Sequence, residues 1–444
     1  MPRRAVDREI MRLAIPAFGA LVAEPLFLLA DSALVGHLGA TPLAALGIAG
    51  ALLQTIVGLM VFLAYGTTPA VARRLGAGQS REAVEAGIDG LWLALGIGAI
   101  LAIAGVFATP WLVSLFGAAQ DVSAQASAYL AISMAGLPAM LIVFAAAGLL
   151  RGLQDTRTPL VVASAGFAAN IALNALLIYG VGLGIVGSAT GTVIAQWGMA
   201  AAYLVVAVRH ARRVGARLGV RPAGIRGLSG AGWWLFLRTA SLRVAILLAV
   251  FLATGISADA LAGWQVTMAV YNAVALALDA LAIAAQALVG RDLGRGDLDA
   301  VRAVLHRCLW WGVGGGAVFG IVLIALSPVL GWVFTSDPAV LQILPVPLAI
   351  IGATTPLGGY VFVLDGVLIG AGDARYLAVT GLANLAVFAP LAWLALAFGG
   401  GGAASLGWLT LAFGLGYLGA RAVTLGLRAH GHRWMVAGAV RPAP

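Results

Sequence analysis

The chain alternates long apolar runs with short breaks that are polar or arginine-bearing. Runs of spanning length fall at about 13–36, 42–70, 87–109, 123–149, 158–180, 185–208, 231–254, 258–289, 305–327, 339–369, 376–398 and 401–426. About 20 apolar residues cross the hydrocarbon core as a helix, so the pattern predicts twelve transmembrane helices. Several runs are longer than that and are expected to tilt or kink. The fold class this implies is an all-α integral membrane protein.

Composition sharpens the picture. The 444 residues are 62% hydrophobic and 10% charged, with a mean hydropathy of +1.02, which excludes an ordinary soluble domain. The 60 glycines and 17 prolines suit membrane helices, where small residues permit close packing. All 26 basic residues are arginine, and the net charge is +9. The arginines fall in alternate connections: Arg73, Arg74 and Arg81; Arg151 and Arg157; Arg209 to Arg226; Arg291 to Arg307; and Arg375. Both tails are basic as well. This is a positive-inside pattern that places both termini in the cytoplasm of a cell-membrane protein. The basic connections are too short to form a nucleic-acid-binding domain, so no nucleic-acid partner is expected. Cys308 is the only cysteine, and the five histidines lie near loops and tails. No metal-ligand spacing, nucleophile triad or other enzyme site is visible. Gly182-Leu-Gly184-Ile-Val-Gly187 fits a dinucleotide-binding pattern, but it lies in a turn between apolar runs and not after a strand.

The longest connection, 209–230, is rich in arginine and glycine and reads as a cytoplasmic linker. It divides the chain into an N-terminal six-helix lobe, 1–208, and a C-terminal six-helix lobe, 231–444. A shift of 218 residues superposes the two halves. Arg73, Leu75, Gly76 and Gly78 fall on Arg291, Leu293, Gly294 and Gly296. Trp92 falls on Trp310, Pro110 on Pro328, Pro138 on Pro356, Asp155 on Asp373 and Arg157 on Arg375. Matches of this kind at one offset indicate a duplication. Six helices per half make the repeats parallel, an architecture of secondary transporters with the substrate site between the halves. The intramembrane acids are not duplicated: Asp31 maps to Ala249, Asp279 to Val61 and Asp365 to Ala147.

The polar residues inside apolar runs are the candidates for chemistry, since a carboxylate at the centre of a membrane helix costs about 2.5–3.5 kcal/mol. The first run carries Pro16, Glu24, Pro25 and Asp31. Glu24 and Asp31 are seven residues apart and share nearly one face, and each proline removes a backbone hydrogen bond and can bend the helix. In the same half, Tyr129, Asn170, Asn174 and Thr192 lie in three other runs, and their importance depends on whether they converge on Asp31. In the eighth run, Gln265, Asn272, Asp279 and Gln286 follow at intervals of seven beside Tyr271, a slowly turning polar stripe about 31 Å long. It reads as a cavity lining, with interhelical hydrogen bonding as the alternative. Asp365, near the arginine-bearing end of the tenth run, is expected to reach interfacial water or Arg375, or to line the substrate cavity. Arg238 can snorkel, and Arg243 lies one turn deeper.

The segments ADSALVGHLG at 30–39, LLRGLQDTRTP at 149–159, the run from Asn170 to Asn174 followed by GLGIVGSATGT, and FVLDGVLIGAGDAR at 362–375 resemble the multidrug and toxic compound extrusion (MATE) transporters. The resemblance is greatest to their DNA-damage-inducible F-type branch and covers the whole chain. It implies two six-helix lobes in a V-shape around a central cleft, and a cation-coupled antiporter that exports amphipathic, often cationic compounds by alternating access. It implies coupling at Asp31, helix bending at Pro16, and polar partners at Tyr129, Asn170 and Thr192. Where the family frequently has an aspartate in the fifth helix, this chain has Asn174; losing one carboxylate favours a proton over sodium, with Glu24 as the residue that could compensate. The expected cycle has Asp31 take up a proton, the first helix bend at Pro16 or Pro25, and the drug leave outward. No cofactor beyond the coupling ion is expected. The expected partners are small cationic substrates and membrane lipids, and the protein is expected to act as a monomer. A lipid-linked precursor flippase of the same superfamily is the alternative; it would need a strongly cationic cavity, for which Arg243 is the clear candidate.

Overall fold

The structure is a computed structural model and describes residues 3–440. Residues 1, 2 and 441–444, at the outer ends of the two expected lobes, lie outside the described residues. Among the described residues every regular element is helical. Eleven helices are each long and apolar enough to cross a membrane: α1 (Arg3–Gly36), α2 (Ala40–Gly76), α3 (Ser80–Ser114), α5 (Arg157–Gly180), α6 (Gly184–Val214), α7 (Pro222–Ile256), α8 (Ala258–Arg295), α9 (Leu298–Val333), α10 (Pro345–Gly370), α11 (Ala374–Ala397) and α12 (Gly402–His430). The twelfth span, α4, is a bent pair, Gln120–Met134 and Leu137–Gly152, that turns by 49° at the break. The twelve apolar runs are therefore twelve spans, and the protein is a multi-pass membrane protein.

Three runs are not single unbroken helices. The helix of α2 is interrupted at Val61, between Ala40–Met60 and Phe62–Gly76. The bend in α4 falls at Gly136 and just before Pro138, which has no N–H to continue the backbone ladder. The tenth run opens with a separate short helix, Pro338–Ile343, and α10 starts afresh at Pro345. By contrast, α1 is one continuous helix with Pro16 and Pro25 inside it.

The chain forms two compact units. One is Ile15–Gly232. The other joins the residues from Trp233 onward to those up to Ala14. The arginine-rich connection lies within the Ile15–Gly232 unit and is shorter than the 209–230 stretch, because α6 runs to Val214 and α7 starts at Pro222. It is also fastened: Arg221 pairs with Glu85 and Asp89 of α3. The Arg217 amide donates to Glu85 at 3.1 Å, and Trp92 Nε1 donates to the Leu218 carbonyl at 3.0 Å. A counterpart exists in the other unit, where the first turns of α1 are held by α8 and α9. Arg307 donates twice to Asp7, both at 2.7 Å, Trp311 Nε1 donates to Asp7 at 2.9 Å, and Arg291 donates to Glu9 at 3.0 Å. Asp89 and Arg307 are equivalent under the 218-residue shift, so each clamp occupies the same place in its repeat with the charges reversed.

The repeat is visible in packing as well. A Cβ on Gly98 would meet the Pro138 Cα at 2.5 Å, and one on Gly316 would meet the Pro356 Cα at 3.0 Å. Gly148 lies against the Ala64 carbonyl and Gly366 against the Ala282 carbonyl, at 2.8 and 2.4 Å from such a Cβ. Gly152 and Gly370 repeat the contact on the carbonyls of Thr68 and Gln286. Helices α2 and α4, and in the other unit α8 and α10, thus meet backbone to backbone wherever glycine removes the side chain, the close approach on which membrane helix pairs depend. Large apolar side chains such as Phe107, Val333 and Trp332 are well exposed, as expected of surfaces that face lipid instead of water.

Candidate functional site

Four helices of the Ile15–Gly232 unit converge on one carboxylate. Asp31 of α1 is 3% exposed. Its Oδ1 accepts hydrogen bonds from Asn174 Nδ2 of α5 at 2.8 Å and from Ser188 Oγ of α6 at 2.7 Å. The Tyr129 hydroxyl of α4, itself buried, neighbours Asp31, Ser188 and Thr192. Asn170 Nδ2 donates to Thr192 Oγ1 at 3.1 Å, one helical turn before Asn174. Local sequence explains the convergence. Asn170 and Asn174 are four apart on α5, and Ser188 and Thr192 are four apart on α6, so each pair presents one polar face. Gly191 lies between the α6 pair, and a Cβ there would meet Asn174 Oδ1 at 2.2 Å. Only glycine leaves the amide room to reach Asp31.

The five residues expected to gather around the first-helix acid, Asp31, Tyr129, Asn170, Asn174 and Thr192, are therefore together. Ser188 is an addition that sequence reasoning did not single out; its spacing of four from Thr192 was the available signal. Glu24 is not part of this cluster. It is exposed, makes no hydrogen bond or ion pair among the described residues, and lies two turns away along α1.

The cluster has a definite chemical character. Each side chain that bonds Asp31 is neutral, and no grouping of three or more metal-ligating His, Cys, Asp or Glu side chains occurs among the described residues. A carboxylate set among hydroxyls and amides can be hydrogen-bonded whether or not it carries a proton, because hydroxyls donate and accept. The carbonyl oxygens of Asn170 and Asn174 are buried without a hydrogen-bond partner. They are ready acceptors for a proton-bearing group or a small cation.

The acids of the other unit are arranged differently. Asp365 of α10 is buried, and its ion-pair partners among the described residues do not include Arg375. It bridges Arg238 of α7 and Arg421 of α12, the latter at 3.1 Å, while Arg375 lies over the Trp234 ring at 5.8 Å. Arg238 therefore does not snorkel. Ser241, Thr380, Asn384 and Tyr417 complete a small polar pocket around this triad. Two guanidiniums hold one carboxylate by charge, so Asp365 ties α7, α10 and α12 together while it lines this pocket.

The stripe on α8 is also not one uniform lining. Gln265 and Asn272 are exposed, Asp279 is half-buried, and Gln286 is buried at 3% exposure against α10 beside Gly370. The reason is that α8 is packed ever more closely against α10 toward Arg295, and that packing encloses the last residue of the stripe. Tyr271 joins an aromatic cluster, edge-on to Phe413 at 5.5 Å.

Comparison with known proteins gives this arrangement its context. The MatE family signature matches residues 16–176 and 238–394, once in each half of the chain. Protein DETOXIFICATION 44, chloroplastic, of Arabidopsis thaliana is 32% identical over 385 residues, covering 84% of this chain and 74% of the relative. DNA damage-inducible protein F of Escherichia coli is 27% identical, with 82% and 81% covered. A mutant of the Vibrio cholerae MATE transporter VcmN superposes with a TM-score of 0.88 at 21% identity, over 97% of this chain and 98% of that one. The signature occupies most of the chain, the fold is shared from end to end, and the protein is a transporter and not an enzyme: it belongs to the multidrug and toxic compound extrusion family.

Proposed function

We propose that the protein is a proton-coupled exporter of amphipathic organic cations, set in the cell membrane with both termini on the cytoplasmic side. The observation that carries this reading is a buried Asp31 held by neutral side chains, with donors on α5 and α6 and the Tyr129 hydroxyl of α4 beside it. Such a group exchanges a proton without breaking an ion pair. Proton uptake removes a charge from the interior, turns one carboxylate oxygen into a donor and weakens the charge-assisted bonds from Asn174 and Ser188. Because α1 carries Asp31 and two prolines, that change is transmitted along a helix already weakened at Pro16 and Pro25. Coupling then requires only that proton and drug favour opposite states. Asn174, standing where a second carboxylate would strengthen a sodium site, supports the proton as the coupling ion. Relatives named multidrug resistance proteins, such as NorM of Thermotoga maritima, support the substrate class.

The test is ethidium efflux from proteoliposomes under an imposed proton gradient and, separately, an imposed sodium gradient. The intact protein is expected to export dye with the proton gradient alone, and Asp31→Asn to lose that export. Wild-type transport by Asp31→Asn, or transport driven by sodium alone, would refute the proposal.

A further inference from the structure

Along α1, the face that carries Asp31 can be followed turn by turn through Ala17, Ala20, Glu24, Phe27, Asp31 and Val35. It is closed at both ends: Ala17 is 2% exposed, Asp31 3% and Val35 0%. Between them Glu24 is exposed. Since this is the face that packs inward above and below, the exposure of Glu24 marks a recess in the unit and not a lipid-facing surface, where a carboxylate would be costly.

The walls of the recess follow from two contacts between α1 and α5. At one end Gly19 lies against Leu160, whose Cδ1 would be 2.9 Å from an added Cβ. At the other, Phe27 stacks on Phe167, with ring centroids 5.3 Å apart and planes 8° from parallel. The two helices therefore run in the same direction, and this register sets Ala163 and Ser164 opposite Glu24. Those side chains are too small to fill the space, and Ser164 is itself exposed. A second polar group is nearby: Pro25 has no N–H, so the Leu21 carbonyl loses its usual helical donor. The recess thus combines an unpaired carboxylate, a carbonyl without its helical partner, a hydroxyl and a stacked aromatic pair at its rim. It contrasts with Asp31, whose polar neighbours enclose it completely.

Resting on the exporter reading above, we infer that Glu24 is the recognition carboxylate for the positive charge of a transported organic cation, with Phe27 and Phe167 as its aromatic wall. Its task is separate from that of Asp31: Glu24 selects the cargo and Asp31 exchanges the proton.

The experiment compares Glu24→Gln, Glu24→Asp and Asp31→Asn in two assays. Equilibrium dialysis of tetraphenylphosphonium against the purified protein measures binding without reference to transport. Ethidium efflux under a proton gradient separates KM from turnover. Glu24→Gln is expected to weaken tetraphenylphosphonium binding and raise the ethidium KM by at least about tenfold, with turnover at saturating dye and its proton dependence retained; Glu24→Asp should recover part of the affinity. Asp31→Asn should keep binding and lose proton-driven turnover. Ser164→Leu, which fills the recess without touching the carboxylate, should also weaken binding. Unchanged binding in Glu24→Gln, loss of proton dependence in that variant, or displacement of tetraphenylphosphonium by sodium would each overturn the inference. If the intact protein exports no dye, the exporter reading fails on the efflux assay, while the dialysis result still decides the role of Glu24.

Discussion

Asp31 Oδ1 takes hydrogen bonds from two helices at once, and small changes among its neighbours should therefore be felt at the carboxylate. Gly191→Ala places a methyl where Asn174 Oδ1 now lies. The expected result is a normally inserted protein with proton-driven efflux reduced about tenfold or more, the effect of losing one hydrogen bond to a charged group; efflux under a fixed pH gradient checks it. Ser188→Ala should act in the same direction. In the other unit, Asp365→Ala leaves Arg238 and Arg421 without their shared counter-charge. Removing one partner of a buried pair costs about 3–5 kcal/mol, so this variant should show a markedly lower melting temperature in detergent. Asp31 was legible in the sequence because an acid in an apolar run is conspicuous by cost. Arg421 was not, because it sits close to a basic tail and looks like one more topology-setting charge; its partner is far away in sequence. Glu24 was placed on the right face by spacing alone, but spacing says nothing about whether a neighbour fills the space in front of it.

At the level of helices, the glycines at the α2–α4, α3–α4 and α8–α10 crossings set how closely the backbones approach. Gly366→Ala would drive a methyl to within 2.4 Å of the Ala282 carbonyl, and Gly98→Ala to within 2.5 Å of the Pro138 Cα. Neither obstacle is a flexible side chain. Each substitution is expected to cost about 1–3 kcal/mol, whereas Gly314→Ala, with open space around it, should be nearly silent; thermal unfolding of the three variants side by side would show the contrast. The apolar runs announced nearly every helix, because a bilayer demands a minimum length of apolar chain and leaves few other solutions. The bend in α4 was not located in advance, although Gly136 and Pro138 were in view, since membrane helices often pass through proline unbroken, as α1 does at Pro16 and Pro25. The same ambiguity hid the separate helix at Pro338–Ile343.

For the molecule as a whole, the duplication read from a fixed offset is repeated in glycine contacts and in the two charge clamps. The clamps make a clear prediction. Asp7→Arg and Arg307→Asp should each lower the yield of well-folded protein, and the charge-swapped double variant should recover it, as judged by monodisperse elution in detergent. A wholly solvated pair would show no such recovery. What spacing could not reveal is that the unit boundaries fall within helices, between Ala14 and Ile15 of α1 and between Gly232 and Trp233 of α7, and not in the arginine-rich connection. A linear reading assigns a helix to the half in which it occurs, whereas packing assigned the start of this helix to the other half. This has a consequence for biogenesis. Asp7 leaves the ribosome 300 residues ahead of Arg307, on the order of 15–60 s earlier at ordinary synthesis rates. The unit from Ile15 to Gly232 has all its residues in hand long before then, yet the opening turns of the chain must remain uncommitted until the last unit arrives to receive them. A gene split at the connection would hand those turns to the wrong fragment, and the second fragment would be incomplete without the first.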